Sequence, residues 1–150
     1  MGTYALTGDD VIVIDNIPAK DFADGDIGIL ELPNNLFSMQ TGKNGNTIFA
    51  FDESGNNATL TLRVLLSSSD DKRFNGMIPE TSNFATTKLI TGSVIKQVGD
   101  GEGNVSFNTY MLQGGLVHKK PSIKTNANGD ISQAVVEYVF QFAKANRVIA

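Results

Sequence analysis

The chain has 150 residues, which fits one domain that buries roughly two thirds of the surface its unfolded form exposes. Its lack of cysteine and its single histidine exclude a disulfide framework, thiolate chemistry and a histidine-cluster metal site. A net charge of -4 argues against a sequence-independent grip on nucleic acid, because such a grip needs an excess of lysine and arginine. The first residues carry neither a basic start nor a sustained apolar run, so we expect no signal peptide, no membrane span and synthesis in a cytoplasm.

The first segment predicts two short strands separated by a polar turn. Residues 11–14 read Val-Ile-Val-Ile, a β-branched run that predicts a strand covered on both faces. Residues 19–26 have the composition of a turn, and alternation resumes over residues 27–32. Pro33 then ends the second strand.

A β-hairpin is predicted next. Residues 36–41 and 47–51 flank the stretch 42–46, where asparagine and glycine adopt positive φ angles at little cost. Residues 52–57 form a second polar turn. The whole connection is long for a link between two strands.

The middle of the chain carries an alternating strand that leads into a helix. Leucine, valine and alanine alternate with threonine and arginine over residues 58–66, which is strand periodicity. Three serines at 67–69 can cap the free amides of a helix start, and two aspartates at 70–71 suit the positive end of the helix dipole. We expect Phe74, Met77 and Ile78 to share one helical face, which favours a core role over a partner-binding role. Pro79 ends the segment.

The second half of the chain reads as longer strands and turns. Residues 88–98 look extended, and from residue 105 odd apolar positions alternate with even polar ones, which favours one packed face and one wet face. Gly114 and Gly115 predict a bulge or a kink. A turn at 126–130 precedes the last predicted strand, which spans residues 135–142. The residues therefore predict a single, mainly β domain over 1–150 with one helix.

Motif by motif, the sequence yields no catalytic, cofactor or metal site, and we expect a protein that is not an enzyme. The loop from Asp100 to Asn104 alternates oxygen ligands as a calcium loop does, but its sixth and twelfth positions are valine and methionine. Glycine spacing fits neither a phosphate loop nor a dinucleotide fingerprint. His118 stands beside two lysines and is more typical of a surface residue than of a general base.

Charge is distributed unevenly along the chain. Residues 1–31 hold seven acids against one lysine, while residues 105–150 hold five bases against two acids. One interpretation is two solvated faces, and the other is head-to-tail self-association. The charged candidates for such a contact are Asp21, Asp24, Asp26, Lys119, Lys120 and Lys124.

These pieces together resemble a known family, the small tail-tube proteins of contractile-tailed bacteriophages. The resemblance lies in the strand Ala-Thr-Leu-Thr-Leu-Arg-Val-Leu-Leu-Ser-Ser-Ser at 58–69 with its following helix, and in the Phe-Ala-Asp-Gly-Asp turn at 22–26. It continues from Val105 through Lys-Lys-Pro at 119–121 to Phe142 and covers most of the chain.

The resemblance implies an antiparallel β-sandwich or partial barrel with one short helix packed on it. It also implies hexameric rings that stack into the inner tube of a contractile tail, a conduit for genome delivery. The implied partners are the chain itself, the tail sheath, the baseplate and the tail terminator, while double-stranded DNA passes through without specific binding and no membrane is involved. The implied location is the virion, with synthesis in the host cytoplasm. Tubes of phage-tail-like bacteriocins and of type VI secretion remain alternatives.

Within that resemblance, two sets of residues receive candidate roles. A polar sheet face would line the lumen, where DNA must slide without sticking. Its candidates are Thr59, Thr61, Arg63, Ser106, Asn108, Glu137 and Gln141, with pairing to a neighbour's acid as the alternative for Arg63. The long hairpin would join one ring to the next, with an ordinary surface hairpin as the alternative. Its candidates are Gly42, Lys43, Asn44, Gly45, Asn46, Asp52 and Glu53.

Two other classes of protein remain as alternatives. A carbohydrate-binding β-sandwich would also be acidic and rich in turns, but it usually presents tryptophan or tyrosine platforms, and this chain has no tryptophan and three tyrosines. A hydrolase built on paired carboxylates would require Asp24 and Asp26 to line a pocket.

Overall fold

The computed structural model describes residues 5–6, 10–23, 27–79, 87–122, 125, 127, 129 and 131–150. Across these residues the chain is antiparallel β-structure with one short α-helix, which confirms the predicted fold class. The strands are β1 (Ala5–Leu6), β2 (Val11–Ile14), β3 (Ile17–Pro18), β4 (Gly28–Glu31), β5 (Phe37–Thr41), β6 (Thr47–Phe51), β7 (Ala58–Leu65), β8 (Ile90–Gly99), β9 (Val105–Lys119) and β10 (Val135–Ile149). The helix α1 spans Ser69–Asn75, and short 3-10 helices span Glu53–Asn56 and Ile131–Ala134.

Eight strands form one sheet in the order β3-β2-β8-β9-β10-β7-β4, with β1 paired to β8. Strands β5 and β6 form a separate two-stranded sheet. The predicted strand at 58–66 and both hairpin strands are confirmed to within one residue. Strands β9 and β10 are each 15 residues long, so β10 runs seven residues beyond the expected end at Phe142.

The core lies on one face of the central strands. Alternate residues of β7 are buried, and each stands directly opposite a buried residue of β10, so the two rows form one apolar layer. The facing pairs are Ala58 with Phe142, Leu60 with Phe140, Leu62 with Tyr138 and Val64 with Val136. Only one face of β2 joins this core: Ile12 and Ile14 are buried while Val11 and Val13 are half-buried, so the expectation of a strand covered on both faces is wrong.

The sheet curls until its two ends approach each other, without closing into a barrel. Gly28 on β4 lies so near β2 that a Cβ there would stand 3.0 Å from Ile12 Cδ1. Residues 19–23, which follow β3, span this gap: the Ala19 amide donates to the Ile12 carbonyl of β2, and Phe22 forms a β-bridge with Val64 of β7. The ends are therefore joined by side-chain packing and by this crossing segment, while the other edge of the four-residue strand β4 has no neighbour in the sheet order.

Helix α1 is capped and fastened by its own first turn. The Ser68 hydroxyl accepts a hydrogen bond from the Asp71 amide at 3.2 Å, as the serine run predicts. The buried Asp70 carboxylate accepts from the amides of Lys20 and Asp21 at 2.7 and 2.8 Å. Because those amides belong to the segment that crosses between the sheet's ends, the carboxylate ties the helix to the closure of the fold.

Two further side chains hold α1 on the sheet. Arg73 donates to the carbonyls of Ile14 and Ile17 at 2.7 and 3.2 Å. The Tyr138 hydroxyl donates to Asp71 Oδ1 at 2.6 Å. Burial raises the pKa of the Tyr138 phenol, and the adjacent Asp71 carboxylate raises it further.

The helix is shorter than predicted. It ends at Asn75 with Gly76 as its C-cap, so Met77 and Ile78 lie beyond it and do not share a helical face with Phe74. Phe74 has no exposed surface, and Met77 and Ile78 pack on the same core from the following segment. Pro79 therefore does not end the helix, because the helix already has its C-cap at Gly76, three residues earlier.

In the first part of β9, the apolar residues that were predicted to be packed are exposed. Val105, Phe107 and Met111 are 42–48% exposed, while Leu112 is buried. The buried parity changes near Gly114, whose φ of +67° is open to glycine at no steric cost. A Cβ at the neighbouring Gly115 would overlap the Phe142 ring, so this stretch of the strand requires glycine for close packing.

Candidate assembly interface

The hairpin of β5 and β6 has one strongly apolar face, which the rest of the described chain leaves exposed. Phe37 stands opposite Phe51 and Met39 opposite Phe49, so these four side chains share one face. They are 47%, 88%, 60% and 57% exposed, in that order. A two-stranded hairpin is at best marginally stable alone in water. This aromatic hairpin face, defined as Phe37, Met39, Phe49 and Phe51, is therefore a surface that gains stability from a partner.

The base of the hairpin is closed by contacts between its two flanking segments, and the 3-10 helix that follows it lies against β10. The Asp52 amide donates to the Leu36 carbonyl at 2.8 Å, and the Asp52 carboxylate caps the 3-10 helix by accepting from the Ser54 amide and hydroxyl. These hydrogen bonds lower the pKa of the Asp52 carboxyl. Gly55 is buried, and a Cβ there would stand 2.8 Å from the Asn35 carbonyl oxygen. The hairpin therefore projects in a defined direction.

The tip of the hairpin is a tight polar turn. Gly42 and Asn46 close it through a 2.8 Å hydrogen bond, and Gly45 has a φ of +86°. All seven predicted inter-ring residues are exposed, and they lie at the tip and in the turn after β6. Asp52 also has the capping role described above, so its local hydrogen bonds account for an acid at that position.

Five of the predicted lumen residues share one face of the sheet. Glu137 stands opposite Arg63, and Gln141 stands opposite Thr59, with Thr61 between them on β7. These residues lie on the face of β7 and β10 away from the core, where they are half-buried or exposed. This group is the polar outer face.

Ser106 and Asn108 are not on that face. Asn108 has the parity of Tyr110, which stands opposite Val94, and Val94 stands opposite the buried Ile12. The two polar residues therefore continue the core-side face beyond the end of the core. Asn108 accepts a hydrogen bond there from Arg147 at 2.8 Å. Ser106 and Asn108 were assigned to the polar face because regular alternation was assumed along the whole of β9. The buried side of the strand changes near Gly114, so the assignment was wrong for these two residues.

The charged candidates are only partly within the described residues. The Asp21 carboxylate accepts from the Ser69 hydroxyl at 2.6 Å, which lowers its pKa. Lys119 and Lys120 are exposed at the end of β9. Asp24, Asp26 and Lys124 lie outside the described residues. The structure does not bring the remaining acid and bases together, and it gives the acid a partner within its own chain.

The described residues include neither a metal-binding cluster nor a membrane-spanning helix. They contain no group of three or more histidines, aspartates or glutamates able to hold a metal ion. They also contain no helix long and apolar enough to cross a membrane. An open cleft of about 530 Å³ near the base of the hairpin includes Asn34, Thr59, His118 and Gln141, with no carboxylate in its lining.

Comparison with known proteins gives a match at the level of structure. No protein-family model matches the chain, and no curated protein sequence matches it. Among solved structures, a chain matches from the cryo-EM structure of an extracellular contractile injection system, the PVC sheath-tube complex in its extended state. The TM-score is 0.63 at 10% identity, over 94% of this chain and 88% of that chain. The two chains share a fold.

The aromatic hairpin face was the feature that sequence reasoning missed. The predicted role of this region rested on the glycines and charges of its turns, and the side chains of the two hairpin strands were given no role. The signal was available, because the apolar residues at 37, 39, 49 and 51 alternate with Ser38 and Ala50. Folding about residues 42–46 places all four on one side.

Proposed function

We propose that this chain is the tube subunit of a contractile machine, in which hexameric rings stack into a hollow tube. The observation that carries the proposal is the uncovered aromatic hairpin face. Support comes from the shared fold with a chain of a sheath-tube complex and from the tail-tube resemblance of the sequence. The role is structural and non-catalytic.

In this proposal the hairpin joins one ring to the next. An isolated subunit exposes three phenylalanines and a methionine on one face, which is costly in water and is relieved by burial against another subunit. Aromatic residues and methionine are also enriched in the buried centres of protein interfaces. Hydrogen bonds close the base of the hairpin, which reduces the conformational entropy that is lost when the hairpin binds.

The lumen in this proposal is lined by the polar outer face. Its threonines and glutamine offer hydrogen bonds to water, and opposite charges face each other where Glu137 stands across from Arg63. A wall of this kind has little net positive charge, so a nucleic acid would slide along it without being held. We assign the machine to a phage tail with a genome as its cargo, and a bacteriocin or type VI tube is the alternative.

Within a ring, exposed Lys119 and Lys120 would contact an acidic surface of the next subunit. Attraction between exposed charges is screened by salt. Reversal of both lysines to glutamate should therefore weaken ring formation, with a larger difference from the native chain at low ionic strength. Analytical ultracentrifugation at two salt concentrations measures this difference. Equal assembly of the two proteins at both salt concentrations would show that the charges of Lys119 and Lys120 do not contribute to ring formation.

Negative-stain electron microscopy of the purified chain tests the proposal directly. We expect rings or tubes for the native chain. A Phe49→Ser, Phe51→Ser variant should give folded subunits and single rings but no long tubes, because it removes two of the four apolar side chains on the stacking face. Replacing residues 43–46 with a two-residue Asn-Gly turn should have the same effect if the tip also takes part.

The matched control is Ile48→Ser. Ile48 is 75% exposed but stands opposite Gln40 on the other face of the same hairpin, so its loss should leave tubes intact. A native chain that remains a monodisperse monomer at high concentration would contradict the proposed function. If the double serine variant formed tubes of native length, the proposed tube function would stand, but the hairpin would have no role in ring stacking.

A further inference from the structure

A second uncovered apolar surface lies on the outer side of the sheet. In one row across the strands, Val11 stands opposite Ile95, Ile95 opposite Thr109 and Thr109 opposite Val148. The next row contains Val13, Ser93, Met111 and Asn146, and Phe107 stands beyond the first row. Residues directly opposite each other share a face, so these rows form one surface. We call Val11, Val13, Ile95, Phe107, Met111 and Val148 the apolar outer face.

Val11, Val13 and Ile95 are half-buried, the other three residues of this face are exposed, and neither row carries an ionisable side chain. Phe107, Met111 and Val148 are 42%, 48% and 51% exposed. An open hollow of about 210 Å³ lies at its edge, lined in part by Val13, Ser93 and Met111. Ligand pockets are usually about 300–1,000 Å³, so this hollow suits a single side chain better than a small molecule. Buried aromatic anchors in such hollows dominate the energetics of many protein interfaces.

The aromatic hairpin face has the complementary character. Its four residues and the two threonines that share its side, Thr41 and Thr47, are also without charge. Three phenylalanines and a methionine, each about half exposed or more, offer roughly 400–500 Å² for burial. A standard interface buries about 800 Å² per partner, so the hairpin would supply about half of one stacking contact.

We propose that the apolar outer face receives the aromatic hairpin face of a second copy of this chain. Every copy carries both surfaces, both are exposed to water in a single subunit, and a second copy can cover each of them at once in a growing stack. Such a contact is heterologous, because two different surfaces meet, and it leaves one free hairpin and one free outer face for further growth. This inference rests on the proposed function for its biological meaning, but the contact itself can be tested without tubes.

Cross-linking between singly substituted chains provides the test, because the native chain has no cysteine. One chain carries Phe49→Cys and the other carries Met111→Cys, and a short bismaleimide is added to the mixture. We expect a heterodimer band at least tenfold stronger than in a mixture of Phe49→Cys with Leu66→Cys. Leu66 is the matched control because it is 48% exposed, as Met111 is.

A second pair of variants tests directionality. Phe107→Glu with Met111→Glu abolishes the receiving face, and Phe49→Glu with Phe51→Glu abolishes the donating face. Each protein alone should fail to stack, whereas a mixture should form pairs that cannot grow, since one protein donates and the other receives. Circular dichroism and thermal unfolding confirm that each variant is folded.

Three results would overturn the inference. The first is equal cross-linking at Met111→Cys and Leu66→Cys, or none at either. The second is native assembly by the Phe107→Glu, Met111→Glu protein, which would leave the tube proposal standing and remove only this receiving face. The third is maleimide labelling of Met111→Cys in assembled tubes at the rate of the free subunit, which would leave the face open to a different protein.

Discussion

Phe74 should be the residue on which the attachment of helix α1 depends most strongly. Its ring has no exposed surface and meets Tyr138 and Phe140 edge to face, with centroids 5.5 and 5.3 Å apart. Replacement of a buried phenylalanine by alanine costs about 3–5 kcal/mol. Each aromatic pair contributes about 0.5–1.5 kcal/mol beyond the area buried, so Phe74→Ala belongs at the upper end of that range.

A loss of this size is a large part of the stability of a domain, which is usually about 5–15 kcal/mol. Urea unfolding followed by circular dichroism at 25 °C measures it by linear extrapolation. Phe74→Leu is the matched control, because it keeps most of the apolar volume and removes only the aromatic contacts. We expect it to cost roughly 1.5 kcal/mol. A Phe74→Ala protein that loses less than about 1 kcal/mol would show that the helix is not held by its aromatic anchor.

Substitutions at three further positions probe the fold. Tyr138→Phe should remove a hydrogen bond to a carboxylate, a loss of about 1.5–3 kcal/mol. The pKa of this phenol is raised in the folded protein, so its contribution to the free energy of unfolding is present below about pH 10 and declines as the pH rises further. The Tyr138→Phe protein lacks this contribution. Between about pH 9 and 11 its urea midpoint should therefore fall less than that of the native protein. Asp70→Ala should cost about 2–4 kcal/mol in urea unfolding, since two backbone amides lose their acceptor, whereas Asp70→Asn should cost less than half as much. Gly115→Ala should lower the unfolding free energy by about 1–3 kcal/mol, because its methyl group would overlap Phe142, and an unchanged melting temperature would contradict the packing.

Local chemistry was sufficient to predict the central strand, the hairpin and the helix cap. The alternation in β7 is regular over eight residues, so a single pattern specifies both the strand and its buried side. Ser68 caps α1 because its hydroxyl lies one turn from the amide that it satisfies, and that relation is contained in the sequence. Features of this kind depend on neighbours only a few residues away.

The fastening of the helix could not be predicted in the same way. The residues that Asp70 binds are 49 and 50 positions away along the chain, and Arg73 reaches a carbonyl 59 positions away. These contacts exist only because the sheet curls and brings the segment between β3 and β4 beside α1. The aspartates were predicted to favour the helix dipole, and their larger role as tertiary acceptors has no local signal.

The candidate site was predicted only in part for a related reason. Periodicity shows which residues share a face, but it does not show which of two faces becomes covered. In β9 the apolar residues were expected to be packed, and the structure leaves Phe107 and Met111 exposed on the outer side. The prediction that these two residues are buried would be correct only if another subunit covers them in an assembly.

The division of the outer surface gives the most direct argument for an assembly. On β7 and the first part of β10 the side away from the core is mainly polar, with Thr59 and Gln141 in register and Val139 opposite Thr61. Beyond the change of parity near Gly114, the outer side of β8, β9 and the end of β10 carries the apolar outer face, and Lys144 and Gln113 stand opposite each other at its border. A monomer would gain nothing from this difference, because both halves would meet the same water. Subunits in a tube meet two environments, a wet lumen and a dry contact with the next copy, and such an arrangement would favour the two kinds of outer surface seen here.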